Sequence, residues 1–93
     1  MSLRGSQAGV ALGRILIDSG RLAEAERLLS TFTEEGTPHQ YELAQAYIAL
    51  ADVYHANGKN YLALEYLRSL KQNYPGKELD IHDMINQRLN SWK

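Results

Sequence analysis

The sequence predicts an all-α fold in which two antiparallel helical hairpins are followed by a capping helix. Three observations lead to this prediction. Apolar residues recur at the spacing of one helical face through most of the chain. Two of these stretches are interrupted at corresponding points by Gly20 and Gly58, and glycine commonly ends a helix. Pro75 stops a fourth stretch before a last amphipathic segment, so five helices are expected.

Composition limits the classes of function that the chain can serve. Its 93 residues are about the size of one small domain, predicted to span residues 1–93. Ten Lys and Arg against eleven Asp and Glu give a net charge of -1, which leaves no excess positive charge for a nucleic-acid backbone. No apolar run approaches the roughly 18–20 residues that cross a bilayer. Neither nucleic-acid binding nor membrane insertion is therefore expected.

The sequence carries no sign of a compartment. It contains no cysteine, which excludes disulfides and thiolate metal sites but fits an oxidising or a reducing environment equally well. The N-terminal residues do not follow the signal-peptide pattern, because Gly5, Ser6 and Gln7 stand where an apolar block is required. Localisation is left unassigned.

The first hairpin is predicted from two short amphipathic segments. The first helix should run from about Ser6, a suitable N-cap, to the turn at Gly20. The second should end near Thr33. Gly5, Gly9 and Gly13 are spaced four apart and share one helical face. Close approach of two helices within a soluble pair is the favoured interpretation of these glycines, over a membrane dimer seam.

The second hairpin and the capping helix have clearer boundaries. Thr37 is the expected cap of the third helix, with Pro38 at its first position and Gln40 completing a capping box. Asn60 is expected to cap the fourth helix, and Pro75 to end it. The fifth helix is predicted from about residue 77 to residue 91, with apolar residues along one side only: Ile81, Met84, Ile85, Leu89 and Trp92.

The two hairpins are copies of one pattern. Aligning Gly20 with Gly58 sets an offset of 38 residues, at which Leu12-Gly13 falls on Leu50-Ala51, Leu16 on Tyr54, Ala25 on Ala63, Leu29 on Leu67 and Phe32 on Leu70. Small residues recur where the two helices of a hairpin must cross closely. Each hairpin would bury its open face only against its neighbour.

This pattern resembles the tetratricopeptide repeat, whose usual length is about 34 residues. The resemblance implies a short right-handed solenoid with a degenerate first repeat at 6–36, a second repeat at 37–76 and a capping helix at 77–93. The first repeat departs from the family pattern at Gly9, where a large residue is usual, and at Thr37, where proline is usual. The signature residues are Leu12, Gly13, Leu16, Gly20, Ala25, Tyr47, Leu50, Ala51, Tyr54, Gly58, Ala63, Leu67, Leu70 and Pro75.

The run from GTPHQ through ADVY to YLRSLKQNYPG also resembles the C-terminal end of large tetratricopeptide-repeat proteins of Bacteroidetes-type bacteria. The family resemblance implies a non-catalytic interaction or scaffolding module that binds a peptide or a partner helix in a concave groove. The candidate groove residues are Arg14, Ile17 and Asp18 on the first helix and Gln45, Ile48, Asp52 and His55 on the third, with His82 and Asn86 as an extension. The plainer interpretation is that these are only solvated side chains.

A different function is also consistent with the sequence. The chain could be the structural C-terminal end-cap of a longer solenoid that binds nothing of its own. In isolation it would then self-associate through the open first helix, with Gly5, Gly9, Ile15 and Ile17 as the contact residues. Homo-oligomers through this helix are therefore an expectation.

No catalytic or metal-binding motif stands out. None of His39, His55 and His82 has another His or Cys at helical ligand spacing. The acids beside His82, Asp80 and Asp83, are better explained by the positive end of a helix dipole than by general-base or metal chemistry. The sequence also lacks a GxSxG turn and a phosphate-binding loop. We therefore expect no enzymatic activity, no metal and no cofactor.

Overall fold

Five α-helices and no strands make up the part of the chain that the computed structural model describes, residues 2–92. The helices are α1 (Leu3–Asp18), α2 (Leu22–Glu35), α3 (Gln40–Ala56), α4 (Asn60–Asn73) and α5 (Leu79–Ser91). Each helix packs on the next one in the chain, and α3 also contacts α1 and α5. The all-α prediction is confirmed. The predicted domain limits, Met1 and Lys93, lie outside the described residues.

The two hairpin turns have the same backbone structure. Gly20 and Gly58 adopt φ angles of 76° and 77°, in the left-handed region that favours glycine. In the first turn the N–H groups of Gly20 and Arg21 donate to Ile17 and Leu16. In the second turn the N–H groups of Gly58 and Lys59 donate to His55 and Tyr54, at 3.0 and 2.8 Å. Both turns are Schellman motifs, so the predicted equivalence of Gly20 and Gly58 extends to individual hydrogen bonds.

The glycines of α1 allow α2 to approach closely. A Cβ atom on Gly13 would lie 2.7 Å from Leu29 Cδ2, and one on Gly9 would lie 2.8 Å from Phe32 Cδ2. These distances are below van der Waals contact, so the helix-pair interpretation is confirmed for Gly9 and Gly13. Gly5 is exposed. Phe32 therefore occupies the space that a side chain at position 9 would fill.

The core consists of two clusters of buried residues on either side of α3. The first lies between the hairpins and contains Val10, Leu16, Ala25, Leu29, Phe32, Ala46, Ala49, Leu50 and Val53. The second lies under α5 and contains Ala44, Ile48, Ala51, Ala63, Leu67, Tyr74, Ile81 and Ile85. The predicted packing roles of the small residues Ala25, Ala51 and Ala63 are confirmed, because each is fully buried.

The tyrosines of the second hairpin pack against one another. Tyr66 on α4 stacks on Tyr54, with ring centroids 5.4 Å apart, and lies 6.1 Å from the ring of Tyr47. All three side chains are partly buried. Aromatic contacts therefore join α3 to α4 at the signature residues Tyr47 and Tyr54.

One predicted packing residue is exposed. The side chain of Leu12 is 47% exposed, whereas its equivalent Leu50 is 1% exposed. Leu50 faces the first hairpin, but no helix within residues 2–92 covers the corresponding side of α1. The packing role predicted for Leu12 is therefore wrong for this structure.

Helix starts differ from the sequence prediction by a few residues. The helix α1 begins at Leu3 and is capped by Ser2, whose hydroxyl accepts the Gly5 N–H at 3.0 Å. Ser6, the predicted cap, is instead fully buried within α1. Its hydroxyl lies 2.9 Å from that of Thr37. The side chain of Ser6 therefore joins α1 to the loop before α3.

The predicted capping box of α3 does not form. That helix begins at Gln40, so Pro38 precedes its first turn, and no side chain caps it at His39. Thr37 still contributes, because its hydroxyl accepts the His39 N–H at 3.2 Å. Asn60 is the first residue of α4 and does not cap it.

The loop between α4 and α5 is closed by a hydrogen bond that the hydroxyl of Tyr74 donates to the carboxylate of Glu78. This bond lowers the pKa of Glu78 from its ordinary value of 4.5. Burial raises the pKa of Tyr74, and the hydrogen bond to Glu78 raises it further. Both shifts keep Glu78 ionised and Tyr74 protonated in the folded chain.

We expect this pair to give the protein a measurable acid sensitivity. A carboxyl whose pKa is lowered by folding stabilises the folded state above its ordinary pKa, and that contribution is lost as the pH falls through the lowered folded-state value. Glu78→Gln and Tyr74→Phe should therefore both reduce the dependence of stability on pH below 4.5. Urea denaturation at a series of pH values measures this dependence. An acid limb that neither variant changes would show that the pair does not contribute.

Candidate functional site

A groove of about 440 Å³ runs between α1 and α3. Its lining consists of Gln7, Val10, Ala11 and Arg14 from α1 and Tyr41, Glu42 and Gln45 from α3. Val10 is 8% exposed and belongs to the first core cluster, so the base of the groove is continuous with the core. Polar side chains surround this apolar base.

An ion-pair network lies at one end of the groove and connects three helices. The carboxylate of Asp52 on α3 accepts a hydrogen bond from Arg14 Nη1 of α1 at 2.5 Å. It also accepts hydrogen bonds from Arg88 of α5, at 2.7 Å from Nε and at 3.1 Å from Nη2. The side chains of Arg14, Asp52 and Arg88 are only 30%, 16% and 20% exposed. Two guanidinium groups thus share one carboxylate, which holds them in place and leaves one positive charge in excess.

Repeat symmetry underlies the groove. Arg14 and Asp52 are 38 residues apart, the same offset that relates the two hairpins. Gln7 and Gln45 are separated by the same offset. Equivalent positions on α1 and α3 therefore supply a pair of amides along the groove and an ion pair at its end.

The structure brings together only part of the predicted set of groove residues. Arg14 and Gln45 line the groove, and Asp52 forms the ion pairs beside it. Asp18 is exposed at the end of α1, and Ile17 is half-buried against the first core cluster. These last two residues do not line the groove.

Ile48 was predicted to line the groove, and the structure does not place it there. Its side chain is fully buried in the second core cluster and is not accessible to a partner in this structure. The prediction was wrong because α3 is covered on two sides, by the first hairpin and by α4 with α5. Ile48 lies next to the face of α3 that packs on the first hairpin, and it packs in the second core cluster instead.

His55 is exposed, but its ring contacts Trp92 and Asn60. Its ring stacks on Trp92 with centroids 4.0 Å apart and an interplanar angle of 6°, and its Nδ1 lies 2.8 Å from Asn60 Oδ1. Asn60 in turn donates to the backbone oxygen of Trp92 at 2.7 Å. His55 and Asn60 therefore fasten the C-terminal end of α5 to the second hairpin.

His82 and Asn86 of α5 were expected to extend the groove, but the contact beside the groove is made by Arg88. His82 lies against Tyr74, with ring centroids 5.8 Å apart, and its Nε2 is 3.4 Å from the backbone oxygen of Gly76. From α5, Arg88 instead reaches Asp52 beside the groove. No sequence signal identified it, since α5 lies outside the repeat.

The remaining groove residues were not predicted from the sequence: Gln7, Val10, Ala11, Tyr41 and Glu42. Gln7 could have been found by applying the repeat offset to Gln45. Tyr41 donates a hydrogen bond to Asp80 of α5, and this bond is the main cause of its raised pKa. A contact between two distant helices has no signature in the local sequence.

Metal and membrane features are absent from the part of the chain that the structure covers. Residues 2–92 contain no group of three or more His, Cys, Asp or Glu side chains arranged to hold a metal ion. Among the same residues, no helix is both long and apolar enough to cross a membrane.

Comparison with protein-family models, curated proteins and solved structures finds no match to this chain. Any functional conclusion therefore has to come from the geometry of the groove, the internal repeat and the exposed surfaces.

Proposed function

We propose that the chain is a non-catalytic protein-interaction module of the tetratricopeptide-repeat type, which binds an extended peptide in the groove between α1 and α3. The observation that carries this proposal is the combination of an apolar base with polar side chains on both walls. Val10 and Ala11 offer a surface for an apolar side chain, while Gln7 and Gln45 line the groove from the two helices. Binding sites commonly combine apolar area with a few placed polar groups.

The amides suit a peptide backbone. A primary amide both donates and accepts a hydrogen bond, as a peptide group does. These two amides stand on neighbouring helices, and the axes of packed helices are usually about 8–10 Å apart. An extended peptide advances about 3.3 Å per residue, so peptide groups two or three residues apart match this spacing.

Rigidity of the groove also supports the proposal. Asp52 ties Arg14 on one wall to α3 and α5, and Val10 belongs to the core. A preformed site loses less conformational entropy when it captures a flexible ligand. Binding would therefore need little rearrangement of the helices.

The test is selection of a random 12-residue peptide library displayed on phage, followed by affinity measurements with synthetic versions of the selected peptides. Gln7→Ala and Gln45→Ala should each weaken binding by about 3- to 10-fold, since a hydrogen bond contributes about 0.5–1.5 kcal/mol. Gln72→Ala is the matched control, because Gln72 is exposed on α4 and lines none of these groove walls. Equal effects of all three substitutions would contradict the proposal.

A second candidate function is the structural end of a longer helical array. It is favoured by α5, whose apolar residues Ile81 and Ile85 are fully buried on the second hairpin. The opposite side of α5 is polar and exposed at Asp83, Gln87 and Asn90. Such a helix completes a stack at one end and presents a solvated surface beyond it. Removal of α5 with measurement of the association state tests this function.

A further inference from the structure

The outer side of α1 carries an uncovered apolar stripe. It consists of Ala8, Ala11, Leu12 and Ile15, all of them exposed, with Leu12 47% and Ile15 59% exposed. These positions follow the spacing i, i+3, i+4 and i+7 of a single helical face. Leu12 also lines a surface depression of about 360 Å³, together with Leu28 of α2.

The same pattern is buried in α3. At the repeat offset, the stripe corresponds to Ala46, Ala49, Leu50 and Val53, which are 0%, 0%, 1% and 0% exposed. The order of small and large residues is the same, and only Val53 differs, by one methylene from Ile15. These four residues of α3 belong to the cluster that packs on the first hairpin.

The partner of the α3 stripe is the inner surface of the first hairpin. Val10 and Leu16 contribute to it from α1, and Leu29 and Phe32 from α2. The two-helix surface is thus complementary to a stripe of two small residues, a leucine and a β-branched residue. The outer stripe of α1 has this chemistry and no such surface against it within residues 2–92.

We infer that the outer stripe of α1 is a docking surface for a further helical hairpin of the same repeat pattern, seated as the first hairpin is seated on α3. The inference rests on the second candidate function, the end of a helical array, and names the surface on which that array would continue. Within residues 2–92, a second copy of this chain offers no uncovered two-helix surface of this kind. In each copy α3 already covers the inner surface of the first hairpin, and α5 covers the far side of the second.

The experiment adds a second copy of the first hairpin to the N-terminal side of the chain. A copy of residues 2–39 inserted between Met1 and Ser2 of the full chain preserves the repeat offset, because Ser2 is equivalent to Gln40. The internal stripe should then become buried. We expect one cooperative thermal transition with a Tm raised by about 5 °C or more. A stabilisation of about 1 kcal/mol shifts the Tm by about 4–8 °C for about 60–100 residues and by about 2–4 °C for about 150–250 residues, and the tandem protein lies between these sizes.

The matched control uses one substitution at two places in the tandem protein. Ile15→Glu in the internal copy places a charge in the new interface and should lower the Tm by at least about 10 °C. Ile15→Glu in the leading copy stays exposed and should change it by less than about 3 °C. Equal effects, or a leading hairpin that exchanges its amide hydrogens as an unfolded chain does, would overturn the inference.

Sedimentation of the unmodified chain and of the tandem protein tests the rival occupant. A monomer agrees with the inference, and so does a dimer of the unmodified chain that Ile15→Glu dissociates, because an uncovered stripe is expected to self-associate. A dimer of the tandem protein that is dissociated by Ile15→Glu in the internal copy, and not by Ile15→Glu in the leading copy, would overturn it in favour of a second copy.

Peptide affinity of the groove is measured with the unmodified chain, because Ala11 lines the groove and also belongs to the stripe. The end-of-array function is tested separately by removal of α5, so a failure of docking is distinguishable from a failure of either proposed function.

Discussion

Truncation of the chain after Gly76 is expected to destroy the native packing of the second hairpin. Such a chain lacks α5 and therefore the fully buried Ile81 and Ile85. Their partners in the second core cluster, including Ile48 and Leu67, would be exposed to water. Each large aliphatic side chain removed from water contributes about 1.5–3 kcal/mol, which is a large part of the total stability of so short a chain.

The expected result is loss of the cooperative thermal transition, or association of the truncated chain through the uncovered cluster. Circular dichroism and light scattering measure these two outcomes. Point variants separate packing from chain length: Ile85→Ala should lower the free energy of unfolding by about 2–5 kcal/mol, whereas Gln87→Ala, on the exposed side of α5, should change it by less than about 0.5 kcal/mol. A truncated chain that unfolds cooperatively as a monomer would contradict the capping role of α5.

Ala63→Leu is expected to be the most damaging single enlargement in the second hairpin. Ala63 is fully buried on α4, in the cluster that also contains Ala51 of α3. A leucine at this crossing would force the two helices apart or drive neighbouring side chains from their preferred rotamers. We expect a loss of about 1–3 kcal/mol in the free energy of unfolding, equivalent to a fall in Tm of roughly 5–20 °C.

Ala56→Leu is the matched control. Ala56 is the last residue of α3 and is exposed, so leucine there meets no close neighbour and keeps a good helix former in the helix. Thermal unfolding of both variants should show a much larger fall in Tm for Ala63→Leu. Equal falls would mean that the close helix crossing does not limit the size of residue 63.

Helix existence was predictable because it depends on periodicity over many residues. All five helices appear where apolar residues recur at helical spacing, and the turns at Gly20 and Gly58 appear at their predicted positions. Helix starts were less predictable, since the roles of Ser6, Thr37 and Asn60 depend on partners 31 or 32 residues away in the chain. A local capping pattern cannot reveal such partners.

The candidate site was predictable only where the repeat pattern relates positions on α1 to positions on α3. Arg14, Gln45 and Asp52 were identified in this way and lie in or beside the groove. Ile48 was misplaced because a helical face adjacent to one packing stripe can equally face solvent or a second layer. Which of the two holds for α3 depends on where α4 and α5 pack.

The sequence by itself determined the all-α class, the two-hairpin repeat with its offset of 38 residues and the apolar side of α5. These features follow from spacing along the chain, because each helix buries a face that its own periodicity marks. Only the tertiary structure decided that Arg88 joins Arg14 at Asp52, and that the stripe with Leu12 and Ile15 is open while its copy on α3 is closed. These outcomes depend on which helices are neighbours in space, and equivalent residues in a repeat differ in exposure when only one copy has a neighbour.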